Sequence, residues 1–384
     1  MASETKLRIR RGLLVFFVLA NVLLLITNKT YIYKALWYNF ANIDDNHIFE
    51  QRVIKASSHA QPWPVSAKYN KDNLSKSLAQ FHKEQNSVAF VVIKNDTLYH
   101  EEYWDGYGDK SLSNSFSMGK SVISMLIGVA IKDGKIKSVD EPIKNYLPDF
   151  VDHQFDKITI KHLLTMSSGL NWDESYANPF SMTTEAYYGS DLWKLMLKLR
   201  YKEESGKYFK YLSGDTQLLS FILKKATGKS VSAYFQEKIW EPTGAINNAE
   251  WSLDKAKGNE KAYCCVYSNA KDFARLGSLY LHNGNWKGKQ IIDSAYVQAS
   301  ITPANLIDIE TNKPNDFYGY QWWIIPDYKG QKVFYARGIL GQSIIVLPKH
   351  NIVIVRLGNH IPKKENNHYK FVYQLIDEVL ANVK

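Results

Sequence analysis

The sequence predicts an α+β fold in which an antiparallel sheet, built from both ends of the chain and flanked by helices, carries an inserted, mostly helical lobe. A hairpin pattern comes early, where the β-branched run Val88–Ile93 is turned by Asn95-Asp96 into Thr97–Tyr103. Strand patterns return only late, from Tyr320 onward, and the residues between are mostly helical with loops. The two ends must therefore meet in one sheet.

Length and composition limit the class of protein. The chain has 384 residues, of which 45% are hydrophobic and 14% aromatic, as in a globular protein. This length exceeds one average domain, so one large composite domain and two closely packed domains are both open. The net charge of +10 comes from dispersed Lys and Arg, and no basic helix with interleaved aromatic residues occurs. Nucleic acid is therefore not an expected partner.

The N-terminus has the pattern of a membrane-inserting segment. Fourteen residues, Leu13–Ile26, form an apolar run. This run is short for a span, where about 20 residues are typical, but no small-residue cleavage site follows Ile26. An uncleaved anchor is thus favoured over a removed signal for residues 1–28. The positive flank that precedes the run consists of Lys6, Arg8, Arg10 and Arg11.

The positive flank also predicts orientation. Positive residues stay on the inner side, so the rest of the chain faces the far side of the membrane, which in a bacterium is the periplasm. The expected location is therefore the bacterial inner membrane, as a single-pass protein, or outside the cell if the N-terminus is cleaved. Aromatic rings suited to the membrane interface follow the run at Tyr31, Tyr33, Trp37 and Tyr38.

The only cysteines are the adjacent Cys264 and Cys265. Neither follows the N-terminal apolar run, which excludes a lipid-modified cysteine anchor. Neighbouring cysteines close no useful loop, which argues against a disulfide framework, and zinc needs more ligands. We therefore expect two buried free thiols and no metal site.

The remaining chain divides into a linker and one domain. Residues 29–65 are predicted as a linker because Asp44-Asp45-Asn46-His47 and Pro62-Trp63-Pro64 break any periodicity. Residues 66–384 are predicted as a domain with an α/β lobe and a helical lobe, whose seam is a common place for a pocket. The α/β lobe comprises about 66–115 and 286–384, and the helical lobe about 116–285.

Periodicity predicts the individual elements of the domain. Helical spacing runs from Asn73 to His82, with Leu74, Leu78 and Phe81 on one stripe. The run Val122–Ile131 is apolar nearly all round, which is typical of a helix inside a core. Further helices are predicted at Leu218–Ala226, Ala270–Leu281 and Phe371–Val383, and late strands at Tyr320–Ile325, Val333–Arg337, Ser343–Leu347 and Ile352–Leu357.

Ser117 and Lys120 stand at the start of the buried helix. One turn apart, they project from the same face, where backbone N–H groups are unpaired and the local field is positive. A serine hydroxyl needs a base, and burial lowers the pKa of a lysine, so Ser117 is a candidate nucleophile with Lys120 as base. The alternative is an ordinary N-cap serine with a solvated lysine, since the chain contains four Ser-x-x-Lys pairs.

Two later segments carry further candidates. Tyr211 and Ser213 stand on a turn before a helix, and a phenol beside an ammonium loses its proton more easily, so Tyr211 is a candidate general acid or base. The alternative is a turn tyrosine with Ser213 as a helix cap. The glycines of Tyr335–Gln342 permit close approach of a ligand, and a strand-edge N–H there could hold an oxyanion together with the N–H of Ser117. A bulge in an ordinary strand is the alternative.

Ser117-Met118-Gly119-Lys120, Tyr211-Leu212-Ser213 and Ala336-Arg337-Gly338, in this order and at these separations, resemble the three motifs of the class C β-lactamase-like serine hydrolase superfamily. That superfamily includes penicillin-binding peptidases, carboxylesterases and 6-aminohexanoate-dimer hydrolases. The resemblance covers about residues 70–384. It implies a β-lactamase/transpeptidase-like fold, with Ser117 as nucleophile and Lys120 and Tyr211 as general base and acid.

The chain departs from the β-lactamase pattern at two motif positions. Ser213 stands where Asn is usual, and Ala336 stands where Lys or His begins the third motif, so the cation that grips a carboxylate is missing unless Arg337 replaces it. The pattern is thus closer to the branch of the 6-aminohexanoate-dimer hydrolases and carboxylesterases. The resemblance also implies Ile339 as the second oxyanion N–H, with Gln342 as the alternative. The predicted substrate-binding residues are Ser213, Tyr187, Tyr188, Arg337, Gly338 and Gln342, and for the two tyrosines aromatic packing is an equal alternative.

The sequence therefore predicts a membrane-anchored serine hydrolase that forms an acyl-enzyme with a small ester, amide or peptide-like substrate. No metal or organic cofactor is implied. Two alternatives stay open. One is a β-lactamase or D-alanyl-D-alanine peptidase, and the other is a catalytically silent cell-envelope binding protein on the same fold.

Overall fold

The computed structural model describes residues 2–71, 75–150, 153–365 and 367–383. Asn73 and Leu74, which belong to a predicted helix, lie outside the described residues. The helices are α1 Ala2–Ile26, α2 Tyr31–Tyr38, α3 Lys76–Glu84, α4 Met118–Lys132, α5 Ile160–Leu164, α6 Met182–Tyr188, α7 Leu192–Met196, α8 Ser213–Thr227, α9 Val231–Phe235, α10 Ala270–Leu281, α11 Ser294–Ser300 and α12 Lys370–Asn382. The strands are β1 Gln51–Ile54, β2 Ser87–Lys94, β3 Thr97–Tyr103, β4 Ser113–Asn114, β5 Tyr208–Phe209, β6 Ala249–Ser252, β7 Val266–Ser268, β8 Asn285–Trp286, β9 Lys289–Gln290, β10 Ile307–Asp308, β11 Trp323–Ile325, β12 Val333–Arg337, β13 Ser343–Leu347, β14 Ile352–Gly358, β15 Lys364–Glu365 and β16 His368–Tyr369.

The central sheet joins the two ends of the domain, as predicted. Its strand order is β11-β12-β13-β14-β2-β3, and all neighbouring strands are antiparallel. Val355 on β14 lies opposite Val91 on β2, so the pairing of late and early strands runs through the middle of the sheet. Every residue of β13 and β14 is buried. Burial on both faces explains why these strands read as continuous apolar runs.

The edge strand β11 is shorter than predicted. It begins at Trp323 rather than Tyr320. Gln321 adopts a left-handed φ of 63° and its backbone N–H donates to Leu164 O, so the chain turns before the strand begins. The apolar pattern of Tyr320 and Trp322 reflects burial in this turn rather than strand pairing.

A second sheet, with the order β1-β6-β7-β4, takes two of its four strands, β6 and β7, from the region predicted as helical. Its strands are two to four residues long, too short for a period of two to be recognised in the sequence. β4 pairs with β7, where Ser113 lies opposite Ser268 and Asn114 opposite Tyr267. Because β4 ends just before Ser117, this sheet fixes the approach of the chain to α4.

Residues 29–65 are not the linker that the sequence predicts. α2 packs on α6, and β1 pairs with β6. Asp45 accepts a hydrogen bond from the Tyr187 hydroxyl at 2.7 Å, and buried Trp63 donates from Nε1 to Lys271 O at 3.0 Å. The segment has little periodicity because its elements are short and gain their partners from residues far along the chain.

α4 lies at the seam between the sheet and the helical lobe. Every residue from Met118 to Ala130 is buried, as the apolar run predicts. The helix packs against α8 on one side and β12 on another. Gly128 permits close approach of Tyr296, since a Cβ at this position would lie 2.5 Å from Tyr296 Cδ1. The start of α4 is therefore held between the two lobes.

α10 packs on the central sheet, although the predicted lobe bounds place it with the helices. It contacts β13, β14 and β2. Gly277 lies at the contact, where a Cβ would stand 2.6 Å from Val353 Cγ1 and 2.7 Å from Ile344 Cγ2. The amphipathic pattern of residues 270–281 predicts the helix, but such a pattern does not identify the surface that a helix covers.

α1 is longer than the apolar run that predicts it. Within the described part of the chain, one helical segment, Glu4–Ile26, is long and apolar enough to cross a membrane. Its 23 residues exceed the fourteen of the apolar run because the helix continues through the positive flank. A length of about 20 residues suffices for a span, so length does not argue against an anchor.

The contact at Gly277 gives a test of the fold. Gly277→Ala adds a methyl group between Val353 and Ile344, and such overpacking costs about 1–3 kcal/mol, which exceeds the gain of about 0.8–1 kcal/mol in helix propensity. We expect a lower free energy of unfolding in urea. Gly108→Ala is the control, because a Cβ there meets nothing within 4 Å and φ is not left-handed. An unchanged or higher stability of Gly277→Ala would contradict this packing of α10.

Candidate active site

Ser117 follows a tight turn at the end of β4. Asn114 Oδ1 accepts a hydrogen bond from the Phe116 N–H at 2.9 Å, and Asn114 Nδ2 donates to the Tyr267 hydroxyl at 2.9 Å. Phe116 has a left-handed φ of 43°, a conformation that costs about 1–3 kcal/mol in a non-glycine residue. The turn delivers Ser117 to the N-cap of α4, where it is half-buried and lines a cavity.

Lys120 brings its amine to the Ser117 hydroxyl. Lys120 Nζ lies 2.9 Å from Ser117 Oγ and also donates to Tyr263 O at 2.9 Å. The lysine is 1% exposed. Burial lowers its pKa to about 8, and the negative charge of Glu174 acts in the opposite direction. A neutral amine is therefore accessible near neutral pH, as a base for a serine requires.

Tyr211 lies near the same amine. Its ring centroid is 5.0 Å from Lys120 Nζ. Burial and the charge of Glu174 raise the pKa of the phenol, while a hydrogen bond with Ser117 and the charge of Arg337 only partly offset them. Tyr211 therefore keeps its proton at neutral pH. The structure thus brings together the three side chains that the sequence singles out.

A disulfide joins Cys264 and Cys265 next to the carbonyl that accepts from Lys120. The expectation of free thiols is wrong. The argument from loop length concerns how much a disulfide stabilises the fold, not whether two adjacent sulfurs bond. Cys264 O also packs against the first turn of α4, since a Cβ on Gly119 would lie 3.2 Å from it. The segment Tyr263-Cys264 therefore contacts the first turn of α4 both at the Lys120 amine and at Gly119.

Glu174 is a site residue that sequence reasoning missed. Its Oε2 accepts from the Ser213 N–H at 2.7 Å, and its Oε1 accepts from the Ser213 hydroxyl at 2.7 Å and the Tyr176 hydroxyl at 2.6 Å. Glu174 lines the cavity, and its charge raises the pKa of both Lys120 and Tyr211. No spacing in the sequence signals this role, because Glu174 lies in a loop 39 positions from Ser213.

The third motif brings a turn against Ser117. Gly338 follows β12 in an extended conformation, and a Cβ there would lie 2.3 Å from Ser115 O and 3.2 Å from Ser117 N. Only glycine permits this approach. Ile339 comes next and lines the cavity together with Ser117. Two backbone segments thus meet at the cavity wall beside the hydroxyl, which suits an oxyanion site.

The cavity at Ser117 has a volume of about 690 Å³, within the usual range for small-molecule sites. Its walls carry both signs of charge and several aromatic rings. The Arg337 guanidinium carbon lies 3.2 Å from the Trp323 ring centroid and 4.7 Å from that of Tyr369, and Nη1 donates to Asn367 O at 2.6 Å. These contacts hold a cation in the cavity wall. The acidic residues that line the cavity are Asp173, Glu174, Asp308 and Glu310.

Four predicted substrate-binding residues have other contacts. Ser213 is buried and binds Glu174, as described above. Tyr187 and Tyr188 are buried on α6, where their hydroxyls donate to Asp45 Oδ2 at 2.7 Å and Asn39 O at 3.4 Å.

Gln342 is fully buried. Its Nε2 donates to Gly358 O at 2.6 Å, and its Oε1 accepts from the Gly358 N–H at 3.1 Å. Among the described residues, Tyr187, Tyr188, Ser213 and Gln342 do not line the cavity, whereas Arg337 and Gly338 do. The structure therefore corrects these four predictions. Tyr187 and Tyr188 are buried by the packing of α6, Ser213 binds Glu174, and Gln342 bridges backbone groups of Gly358.

Comparison with known proteins decides the family. A family model described as Beta-lactamase matches residues 74–375. The chain belongs to the Beta-lactamase family. This family member is 24% identical over 309 residues to the 6-aminohexanoate-dimer hydrolase of Paenarthrobacter ureafaciens, with 76% of this chain and 77% of that protein covered.

Solved structures show the same fold for this Beta-lactamase family member. A candidate 6-aminohexanoate-dimer hydrolase from Bacillus anthracis superposes with a TM-score of 0.77 at 22% identity, covering 88% of this chain and 93% of that one. A family VIII carboxylesterase superposes with a TM-score of 0.62 at 16% identity, covering 79% and 95%. The predicted superfamily and α+β fold are confirmed, and the chain is an enzyme of the serine hydrolase type.

Glu174→Gln tests the electrostatics of the site. Removing the negative charge lowers the pKa of Lys120, since Glu174 raises it. If neutral Lys120 is the base, the rising limb of kcat/KM against pH, expected near pH 8, moves to lower pH. The measurement is the position of this limb, not its height, with a p-nitrophenyl ester as substrate.

The matched control for that profile is Glu237→Gln, which removes a carboxylate paired with Lys229 and Lys238 outside the cavity. The rising limb of kcat/KM against pH for Glu237→Gln is expected to coincide with that of the unmodified enzyme. A limb of Glu174→Gln that stays in place or moves to higher pH would contradict the assignment of the limb to Lys120.

Proposed function

We propose that this enzyme cleaves a small ester, amide or peptide-like substrate through an acyl-enzyme on Ser117. The observation that carries the proposal is the 2.9 Å contact between Lys120 Nζ and Ser117 Oγ. The ring of Tyr211 lies near the same amine, and Ser117 and Tyr211 both line the cavity. An alcohol, a partly neutral amine and a protonated phenol are the three groups that acyl transfer needs.

The reaction proceeds in two halves. Lys120 takes the proton of Ser117 as Oγ attacks the substrate carbonyl, and the N–H groups of Ser117 and Ile339 stabilise the oxyanion. Tyr211 donates its proton to the leaving group, and the Lys120 ammonium returns a proton to the phenolate. Water then attacks the acyl-enzyme carbonyl while Lys120 takes its proton. The bond between the carbonyl carbon and Ser117 Oγ breaks, and the Lys120 ammonium returns the proton to Oγ, which releases the acid and restores both groups.

The pKa directions support Lys120 rather than Tyr211 as the primary base. Burial disfavours the charged form of each group. It therefore lowers the pKa of the Lys120 ammonium and raises the pKa of the Tyr211 phenol. At neutral pH the amine is accessible in its neutral form while the phenol stays protonated. Base and acid are thus separated by their surroundings.

A fluorophosphonate probe tests the nucleophile. We expect labelling of the full chain on Ser117, and Ser117→Ala is expected to lose labelling and about 10⁴-fold or more in kcat without change in the thermal transition. The matched control is Ser268→Ala, which removes the serine of another Ser-x-x-Lys pair whose hydroxyl is buried without a partner in the described structure. It should label like the unmodified enzyme.

The outcomes separate the alternatives. No labelling of the folded full chain would contradict the hydrolase mechanism and favour a silent binding protein. Labelling of Ser117 by a tagged penicillin as well would favour a β-lactamase or D-alanyl-D-alanine peptidase. The relatives described as 6-aminohexanoate-dimer hydrolase and carboxylesterase support the ester and amide assignment.

The N-terminal helix supports attachment to the bacterial inner membrane, with the catalytic domain on the periplasmic side. Glu4–Ile26 has the length for a span, and none of the residues in its apolar part is buried. The intact mass of the enzyme from the membrane fraction is expected to include residues 1–28. A shorter protein in the soluble periplasmic fraction would instead identify a cleaved signal.

A further inference from the structure

α2 carries an exposed apolar surface on the side opposite to its packing contacts. Tyr31, Ile32 and Ala35 are buried against the domain. Leu36 is 70% exposed, Trp37 84%, and Phe40, just beyond the helix, 71%. Three large apolar side chains exposed together on a segment of five residues mark an interaction surface rather than scattered exposure.

The position of α2 relative to α1 identifies the partner. The Tyr33 hydroxyl donates to Asn21 Oδ1, so α2 folds back beside the last turns of α1. Asn21 lies five residues before Ile26, which at 1.5 Å per residue is about 7.5 Å from the end of the helix. If α1 spans a bilayer, α2 therefore lies at the depth of the headgroups. Trp is enriched at that depth.

The charge of this region suits the same partner. From Thr5 to Ile43 the sequence contains no acidic residue, and Lys29 and Lys34 precede the exposed apolar residues. An amphipathic segment with aromatic and apolar groups on one side and lysines nearby binds the interface of a bilayer that contains anionic lipid.

The loop that carries part of the cavity wall adjoins this surface. Lys29 Nζ lies 5.5 Å from the ring centroid of Phe180, which is 57% exposed. Phe180 belongs to the loop 173–181, whose residues Glu174 and Tyr176 line the cavity. The loop is tied to α6, since Thr183 Oγ1 donates to Asp173 O at 2.8 Å, and α6 in turn packs on α2.

We propose that Leu36, Trp37, Phe40 and Phe180 form a membrane-docking face whose partner is the bilayer that α1 spans. The face holds the loop 173–181, and with it one wall of the cavity, at the lipid surface. This inference rests on the membrane attachment proposed above but not on the chemistry at Ser117.

Quenching by brominated lipid tests the docking face. The full chain is reconstituted in vesicles of phosphatidylethanolamine and phosphatidylglycerol, with bromine on the acyl chains near the carbonyl end or without bromine. The chain has 10 Trp, so the emission of Trp37 is isolated as the difference between the unmodified enzyme and Trp37→Phe. We expect bromine to quench this difference emission by more than half.

Lysine variants supply the matched comparison. Leu36→Lys is expected to reduce the quenching of Trp37, because a charged side chain in the docking face disfavours insertion of that face among the acyl chains. Val53→Lys is the control, since Val53 is also exposed but lies on β1 outside the face. Equal quenching in Leu36→Lys and Val53→Lys would contradict a role for Leu36.

Two outcomes overturn the proposal and are distinguishable. A full chain that does not float with the vesicles overturns the membrane attachment and the docking face together. A chain that floats but whose Trp37 difference emission is not quenched by bromine overturns the docking face alone. Labelling of Ser117 by a fluorophosphonate is measured on the same samples and reports the hydrolase chemistry independently.

Discussion

The structure of the site depends on the burial of one amine. Lys120 is enclosed at the start of α4, where Nζ contacts Ser117 Oγ and Tyr263 O and has no carboxylate in direct contact among the described residues. A buried ammonium without a paired anion is costly, and the cost is reduced when the amine is neutral. The fold thereby creates a base at a pH where an exposed lysine is fully charged. Glu174 moderates this effect through space, because its negative charge favours the ammonium.

Several parts of the fold meet around this amine. The apolar residues of α4 carry the helix into the seam between the lobes, and Gly119 lets the segment with Tyr263 approach its first turn. Gly338 does the same for the turn after β12. A Cβ on Gly338 would lie 2.3 Å from Ser115 O, so a methyl group there would displace the turn from Ser117, whereas a Cβ on Gly119 would make a tight contact of 3.2 Å with Cys264 O.

The sequence predicts those parts of the structure that depend on local pattern. The strands β3, β12 and β13 and the helix α10 have the predicted bounds, because each is long enough to show a period or a continuous β-branched run. The sequence also predicts Ser117, Lys120 and Tyr211, because the motifs that carry them occur in a characteristic order. By contrast, β1 gains its partner from a strand about 200 positions away, and the bond between Tyr187 and Asp45 joins residues 142 apart. Glu174 has no motif, so only the folded chain reveals it.

Arg337 in the cavity wall shows how a departure from the third motif changes the structure of the site. Side chains alternate along a strand, so Ala336 and Arg337 point to opposite sides of β12. Arg337 lines the cavity and Ala336 does not. A positive charge is thus present, one position later than in the β-lactamase pattern. It is also already engaged, since its guanidinium stacks between Trp323 and Tyr369 and donates to Asn367 O. A substrate carboxylate would compete with these contacts of Arg337, whereas the neutral ester or amide proposed above would leave them intact.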